Sequence, residues 1–430
     1  METTVPEPAQ WSLSKKLAFR FFLLFFLLYI FFNPNGVIPY VSDLYEWYIT
    51  PFHNLAVWLG KHILHLSKPI TTFTNGSGDT TYDNVIVLLV IFSSIIGASI
   101  WSVIDRRRAN YNKLFYWLTV VLRYYAGITM LSYGFYKVIK LQFPFPSFGA
   151  LIQPYGNSSP MGLAWNFMGY STGYNYFTGI AELSCGLLLF FRKTSALGAV
   201  VTLVVAGNIM AINYCFDVPV KLLSTALVLM ALFLICRDIA RFINFFFLNK
   251  PAPASNLSPH RFKARWKNIT LTSIKYLLIA YTIFFDLTGA LETAKSYGAN
   301  AKKPPLYGLY DVRAFIVNKD TLKPLITDTV RWRKLAISYP GNAFIKFIND
   351  STNFFAFKVD TLKKKIVMNK FSDTVHKYTF TYYTPNKDSL VLKGTFKKDS
   401  IQVRFHKDDV NKFLLVRRGF HWINEYPFNR

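Results

Sequence analysis

Seven long apolar stretches occupy the first two-thirds of the chain, and charged residues sit inside several of them. They fall at roughly 17–33, 84–104, 115–139, 174–191, 195–214, 219–237 and 273–291, close to the 17 to 25 apolar residues that cross a bilayer core. The pattern predicts an α-helical polytopic membrane protein. An ionisable side chain inside such a span is costly, so each one is a candidate for function.

The net charge of +26 would suit a nucleic-acid partner, but the placement of the cations argues against one. Lys15, Lys16 and Arg20 stand at the start of the first stretch, and Arg106, Arg107, Arg108 and Lys113 lie between the second and third. Arg192 and Lys193 join the fourth and fifth, and Arg237, Arg241, Lys250, Arg261, Lys263, Arg265 and Lys267 join the sixth and seventh. All these segments share one side if the N-terminus is cytoplasmic, as the positive-inside rule requires. The expected location is the bacterial inner membrane, with everything after residue 291 in the periplasm. No small-residue cleavage site follows the first stretch, so it reads as an uncleaved signal anchor. Cys185, Cys215 and Cys236 sit in or at the ends of spans with no metal-ligand spacing, which predicts neither a disulfide framework nor a metal centre.

Four regions are expected: 1–114 with two spans and an outside loop, 115–240 with four spans, 241–299 with a basic loop and the seventh span, and 300–430 as an exported domain. In the outside loop 34–83, Leu44, Trp47, Tyr48, Leu55, Trp58, Leu59, Ile63 and Leu66 recur at helical spacing, predicting an interfacial helix whose main part starts at Pro51. His62 and His65 are three apart, a weak metal signal. The polar run Asn75–Asp83 predicts a tight turn in which Asp79 or Asp83 caps the next helix. Residues 141–181 carry no charge and are crowded with Phe, Tyr, Trp, Gly and Pro. That composition predicts a lid or re-entrant segment over a cavity mouth. Beyond 300, short alternating runs such as Ile401–Phe405 are separated by turn residues, predicting an all-β antiparallel barrel or sandwich. The aromatic tail 417–427 is expected to close one end of it.

Arg123 lies roughly 12 Å and Glu182 roughly 15 Å from the inner ends of consecutive spans by the helical rise, which predicts an ion pair. Lys137 follows Arg123 by fourteen residues, close to four turns, so both can face the same partner. Asn208, Asn213, Asp217 and Lys221 add polar groups in and between the next two spans. Together Arg123, Lys137, Glu182, Asn208, Asn213, Asp217 and Lys221 are the expected ligand-binding set, with Lys137, Glu182 and Asp217 the candidates for chemistry. The competing reading is that these groups fix helix register and that Asp217 and Lys221 cap and snorkel.

At these residues the chain resembles the DoxX family of bacterial four-helix membrane proteins. The carriers are Arg123 with Gly134-Phe135-Tyr136-Lys137, the helix Gly179-Ile180-Ala181-Glu182-Leu183-Ser184-Cys185-Gly186 followed by Arg192, and Asn213 with Asp217-Val218-Pro219-Val220-Lys221. The layout, including Gly76–Tyr82 and Phe420–Pro427, is similar to larger DoxX-family proteins of Bacteroidetes-type bacteria. The resemblance implies association with quinone-linked or thiol and sulfur redox systems, as a subunit of a complex. Two functions compete. One is a quinone- or lipid-interacting subunit in which Lys137 or Lys221 binds a quinone carbonyl and Glu182 or Asp217 handles protons. Any electrons must come from a redox partner, because the chain carries no flavin or paired-cysteine motif. The other is a non-catalytic envelope assembly or lipid-handling protein acting through its basic exported β domain on an envelope partner.

Overall fold

The computed structural model describes residues 10–35, 41–72, 76–255, 257–259, 261–298, 301–373, 375–396 and 398–429. The chain divides into two compact units. One contains the chain up to Gln142 together with Ser159–Leu291; the other contains Phe143–Ser158 and everything from Glu292 on.

The first unit is helical: α1 (Leu13–Phe32), α2 (Val41–His62), α3 (Thr81–Ile104) and α4 (Asn112–Val138) precede the excursion into the second unit, which carries the short helix α5 (Phe148–Ile152). Then follow α6 (Pro160–Tyr170), α7 (Thr172–Phe190), α8 (Ser195–Cys215), α9 (Lys221–Cys236), α10 (Ile239–Phe246) and α11 (Arg265–Ser296). A helix stands at each of the seven apolar stretches, but among the described residues four helices (α3, α4, α8 and α11) are long and apolar enough to cross a membrane alone. The shortfall from seven has local causes. Helix α1 carries Lys15, Lys16 and Arg20 in its first turns, and α7 is interrupted by Asn175, Thr178 and Glu182. Helix α9 has only 16 residues and reaches spanning length only together with α10, from which it is bent by 78°.

The expected boundary at residue 114 cuts through a continuous core. Arg20, 1% exposed, donates from Nε and Nη2 to the Tyr111 hydroxyl at 3.0 and 2.8 Å, from Nη1 to Ser102 at 2.8 Å and from Nη2 to the Asp105 carbonyl at 2.8 Å. Phe22 and Phe26 of α1 meet Phe233 of α9 at 6.0 and 5.4 Å. Pro51 lies inside α2, with ten residues of helix before it, rather than at its start.

Helices α4 and α7 pack backbone against backbone. A Cβ added to Gly186 would lie 2.6 Å from the Gly127 carbonyl, and one added to Gly179 would lie 3.0 Å from the Gly134 carbonyl. Glycines seven apart on both helices thus let the two backbones touch, the geometry that substitutes for a hydrophobic driving force between helices in lipid.

The second unit is a closed antiparallel barrel. Its strands are β1 (Gly308–Val317), β2 (Asp320–Thr321), β3 (Trp332–Tyr339), β4 (Gly341–Phe347), β5 (Thr352–Asp360), β6 (Lys365–Lys370), β7 (Tyr378–Asn386), β8 (Ser389–Phe396) and β9 (Asp399–Lys407). Each pairs with its neighbour, the two-residue β2 hangs on the end of β1, and β1 pairs with β9 to leave eight strands in the ring. This closure decides between barrel and sandwich, because a sheet with both edges paired has none left to fold over. The interior is filled by side chains. Trp332 packs against Phe315, Phe380, Phe396 and Phe405 at 5.6–6.4 Å between ring centres. Gly394 allows the β7–β8 corner to tighten, since a Cβ there would sit 2.3 Å from the Thr379 carbonyl.

Two expectations fail here. The uncharged loop does not form a lid as a whole: its first part, 143–158, belongs to the barrel unit. Ser147 caps α5, Phe148 is buried with Leu309 and Ala336, and Leu151 and Ile152 pack around them. Leu309 and Ala336 point out of the barrel yet are 0% and 1% exposed, so the loop is apolar because it seals an apolar outer face. The aromatic tail, in turn, closes nothing. Phe420, Trp422 and Tyr426 are 77%, 90% and 83% exposed within this structure, beyond the short helix α12 (Leu414–Arg417). The barrel needs no such plug because its own aromatic side chains fill it.

Candidate functional site

The seven polar residues expected to line one pocket are divided among four places. Glu182, 1% exposed on α7, pairs with Lys137 of α4, which is 5% exposed. The pair lies in the α4–α7 seam between the glycine contacts, since the Gly179 position abuts the Lys137 Cβ and the Gly134 position abuts Leu183. The second carboxylate oxygen of Glu182 is buried and accepts no hydrogen bond among the described residues.

Arg123 is not the partner of Glu182. Its Nε donates to the Leu189 carbonyl at 2.8 Å, near the C-terminus of α7, where a cation complements the unsatisfied carbonyls of the last turn. Glu182 lies two turns earlier on α7, which is why the depth estimate alone misassigned the pair.

Asn213 on α8 donates to the Val220 carbonyl at 3.1 Å and to Ser224 at 3.0 Å, stitching the α8–α9 turn. Asp217 occupies the left-handed region at φ 52, a conformation that Asp tolerates better than most residues. Its carboxylate accepts from Lys221 at 2.9 Å and is largely exposed. Asn208 faces outward on α8 and is exposed.

A residue assigned only to the local turn has a longer reach. Asp83 completes a capping box with Thr80 at the start of α3. Asp79 instead caps α9, accepting from the backbone N–H of Lys221 at 2.7 Å and of Leu222 at 2.9 Å. Gly78 adds a bond to the Pro219 carbonyl at 2.9 Å. The polar turn before α3 and the hinge before α9 form a single structure. Asn75, the first residue of the polar run, lies outside the described residues.

Arg123 lines a cleft of about 1240 Å³ bounded by α4, the α7–α8 turn, Leu257, Pro259 and Arg261, and the first half of α11. None of Lys137, Glu182, Asn208, Asn213, Asp217 and Lys221 lines it. Sequence reasoning missed two residues of α11. Lys275 borders the cleft with its ammonium 4.8 Å from the centre of the Phe191 ring. Asp286 accepts from Ser132 of α4 at 2.6 Å. Both are charges inside the seventh apolar stretch, the same signal that picked out Arg123 and Glu182. Among the described residues no group of three or more His, Cys, Asp or Glu is placed to hold a metal ion. His62 stacks at 5.4 Å from Trp58, and His65 follows the helix in a left-handed conformation.

Over 131 residues the chain is 35% identical to the "Uncharacterized protein YwoB" of Bacillus subtilis (strain 168), a match covering 30% of this chain and 82% of that protein. No family model matches the chain, and no solved structure matches it.

Proposed function

This chain belongs to the family of the uncharacterized Bacillus protein YwoB, and from that premise we propose a non-catalytic lipid-handling or assembly protein that carries an exported β-barrel. In this reading α4, α7, α8 and α9 are a DoxX-like four-helix unit in a bacterial inner membrane. Its topology draws support from the barrel itself. Segment 143–158 follows α4 and packs on the outer face of a domain that begins after α11, so the two share a compartment. The basic connections 105–113, 192–193 and 237–267 then fall on the opposite side, as the positive-inside rule asks. Helices α7, α8 and α9 are joined by short turns and return the chain for its last crossing.

The observation that carries the non-catalytic reading is the position of Lys137 and Glu182. They meet, 5% and 1% exposed, in a seam closed by glycine contacts and do not line the cleft beside Arg123, which suits a lock on helix register. The test compares the full chain with Lys137→Met/Glu182→Gln and with a form lacking 300–430, each released gently from its own membranes and weighed intact with whatever it retains. A lock predicts that the double variant keeps every retained component. Loss of a retained component in the double variant alone would reject it.

One observation favours the quinone-interacting reading: the unpartnered Glu182 oxygen is a buried acceptor with capacity to spare. A stoichiometric quinone in the same spectrum, absent from the double variant, would make that reading the better one.

A further inference from the structure

The cleft beside Arg123 carries charge of one sign. Arg123, Arg192, Lys193, Arg261, Arg265 and Lys275 line it, and no Asp or Glu does. Four of these cations belong to connections that membrane topology explains by itself. Arg123 and Lys275 are different, because each stands ten or eleven residues inside its helix, about 15 Å along the axis by the helical rise.

Arg123 is 4% exposed, and among the described residues its side chain makes one hydrogen bond, from Nε to the Leu189 carbonyl. Among the described residues no carboxylate lies within ion-pairing distance of Arg123 or Lys275. Lys275 lies over two rings, Phe191 at 4.8 Å and Tyr276 at 5.3 Å. Arg192 is the third member, hydrogen-bonded to the Tyr116 hydroxyl and stacked 5.4 Å from its ring. Two like charges at one depth with no counter-charge are costly in a bilayer, and the protein supplies no anion to offset them.

The rest of the wall states what kind of anion fits. Trp117, Val120, Tyr124, Ile274 and Leu278 are aromatic or aliphatic, and Val121 and Ile274 are exposed on the outer faces of α4 and α11. The cleft is therefore open along an apolar flank, and it is larger than the roughly 300–1,000 Å³ of an ordinary small-molecule site. A neutral quinone head would leave the cations uncompensated. A planar guanidinium suits two oxygens of one phosphate.

We propose that the cleft binds a phospholipid with an anionic phosphate headgroup, held by Arg123, Arg192 and Lys275, with its acyl chains along α4 and α11. The proposal rests on the membrane-embedded reading given above and names its ligand class. It is distinct from the Lys137–Glu182 seam, so either can fail without the other.

The test is native mass spectrometry of the full chain in nanodiscs containing equal phosphatidylglycerol and phosphatidylcholine, with inorganic phosphate as competitor. Arg192→Gln and Lys275→Gln are the primary variants, since both residues are partly exposed and glutamine keeps most of the side chain's length. The expected result is retention of one phosphatidylglycerol in preference to phosphatidylcholine, weakened about fivefold for each cation removed. Arg123→Gln is added only if its thermal unfolding matches the parent, and should weaken retention at least as much. Equal retention of the two lipids, or unchanged retention in both primary variants, would overturn the proposal. Displacement by millimolar phosphate would overturn the lipid assignment and leave a phosphate site. A chain that does not enter nanodiscs would reject the membrane reading itself, a failure distinguishable from loss of lipid preference.

Discussion

The carboxylate of Asp79 accepts the backbone N–H of Lys221 at 2.7 Å, although the two residues are 142 positions apart. A cap supplied from so far away joins the entry of α3 to the entry of α9, and Asp79 also accepts from Leu222 at 2.9 Å. Replacing Asp79 with Ala should cost about 1 kcal/mol, and up to about 2, the usual range for an N-cap. Asp79→Asn should recover much of that loss, because the amide oxygen still accepts. Thermal unfolding of the two variants in one detergent checks both statements.

Glycine substitutions should separate by what a Cβ would meet. Gly186→Ala forces a methyl against the Gly127 carbonyl, 2.6 Å away, and should destabilise by about 1–3 kcal/mol or push α4 and α7 apart. Gly207→Ala on α8 meets nothing within 4 Å and should be neutral or stabilising by up to about 1 kcal/mol from helix propensity. Equal effects at the two positions would mean that the seam is not tightly packed.

Inside the barrel, Trp332 is fully buried among four phenylalanine rings. Trp332→Ala should cost about 3–5 kcal/mol and abolish the near-ultraviolet circular dichroism of the domain. A barrel built to hold an apolar ligand would instead tolerate the change and gain capacity, which dye binding would report.

The Lys346 ammonium, 3.1 Å away and seconded by Arg333 at 2.9 Å, holds Asp350 below the usual carboxylate range. A depressed folded-state value means that the contribution is fully present above the unfolded range near pH 4 and is lost as pH falls through the lower folded value. Asp350 is half exposed, so the effect is small and screened by salt. Asp350→Asn should lower the melting temperature slightly at pH 7, where the contribution is present, and converge on the parent as pH falls below about 4, which flattens the acid limb.

Much of this architecture could be read from residues alone. Apolar length placed a helix at each of the seven stretches, and period-two alternation in Ile401–Phe405 placed the strands. Other features could not be read because they depend on partners far away in the chain. Nothing local says that Asp79 caps α9 rather than α3, or that Phe148 seals Leu309 and Ala336. Depth along separate helices suggested Arg123 for Glu182, whereas the glycine register of α4 and α7 selects Lys137. The aromatic tail misled because hydrophobicity reports a wish for burial without saying whether a barrel already has its fill. Asp286 and Lys275 were legible by the same rule as Arg123 and were simply passed over.

The account turns on whether Lys137 and Glu182 are a lock. A double-mutant cycle on thermal unfolding of the full chain in lipid measures this most directly, using Lys137→Met, Glu182→Gln and both together. A lock predicts that each single change costs about 3–5 kcal/mol, because it strands the other charge, and that the double change costs clearly less than their sum. Single variants that unfold like the parent, with additive small effects, would contradict the lock and leave Glu182 free for chemistry.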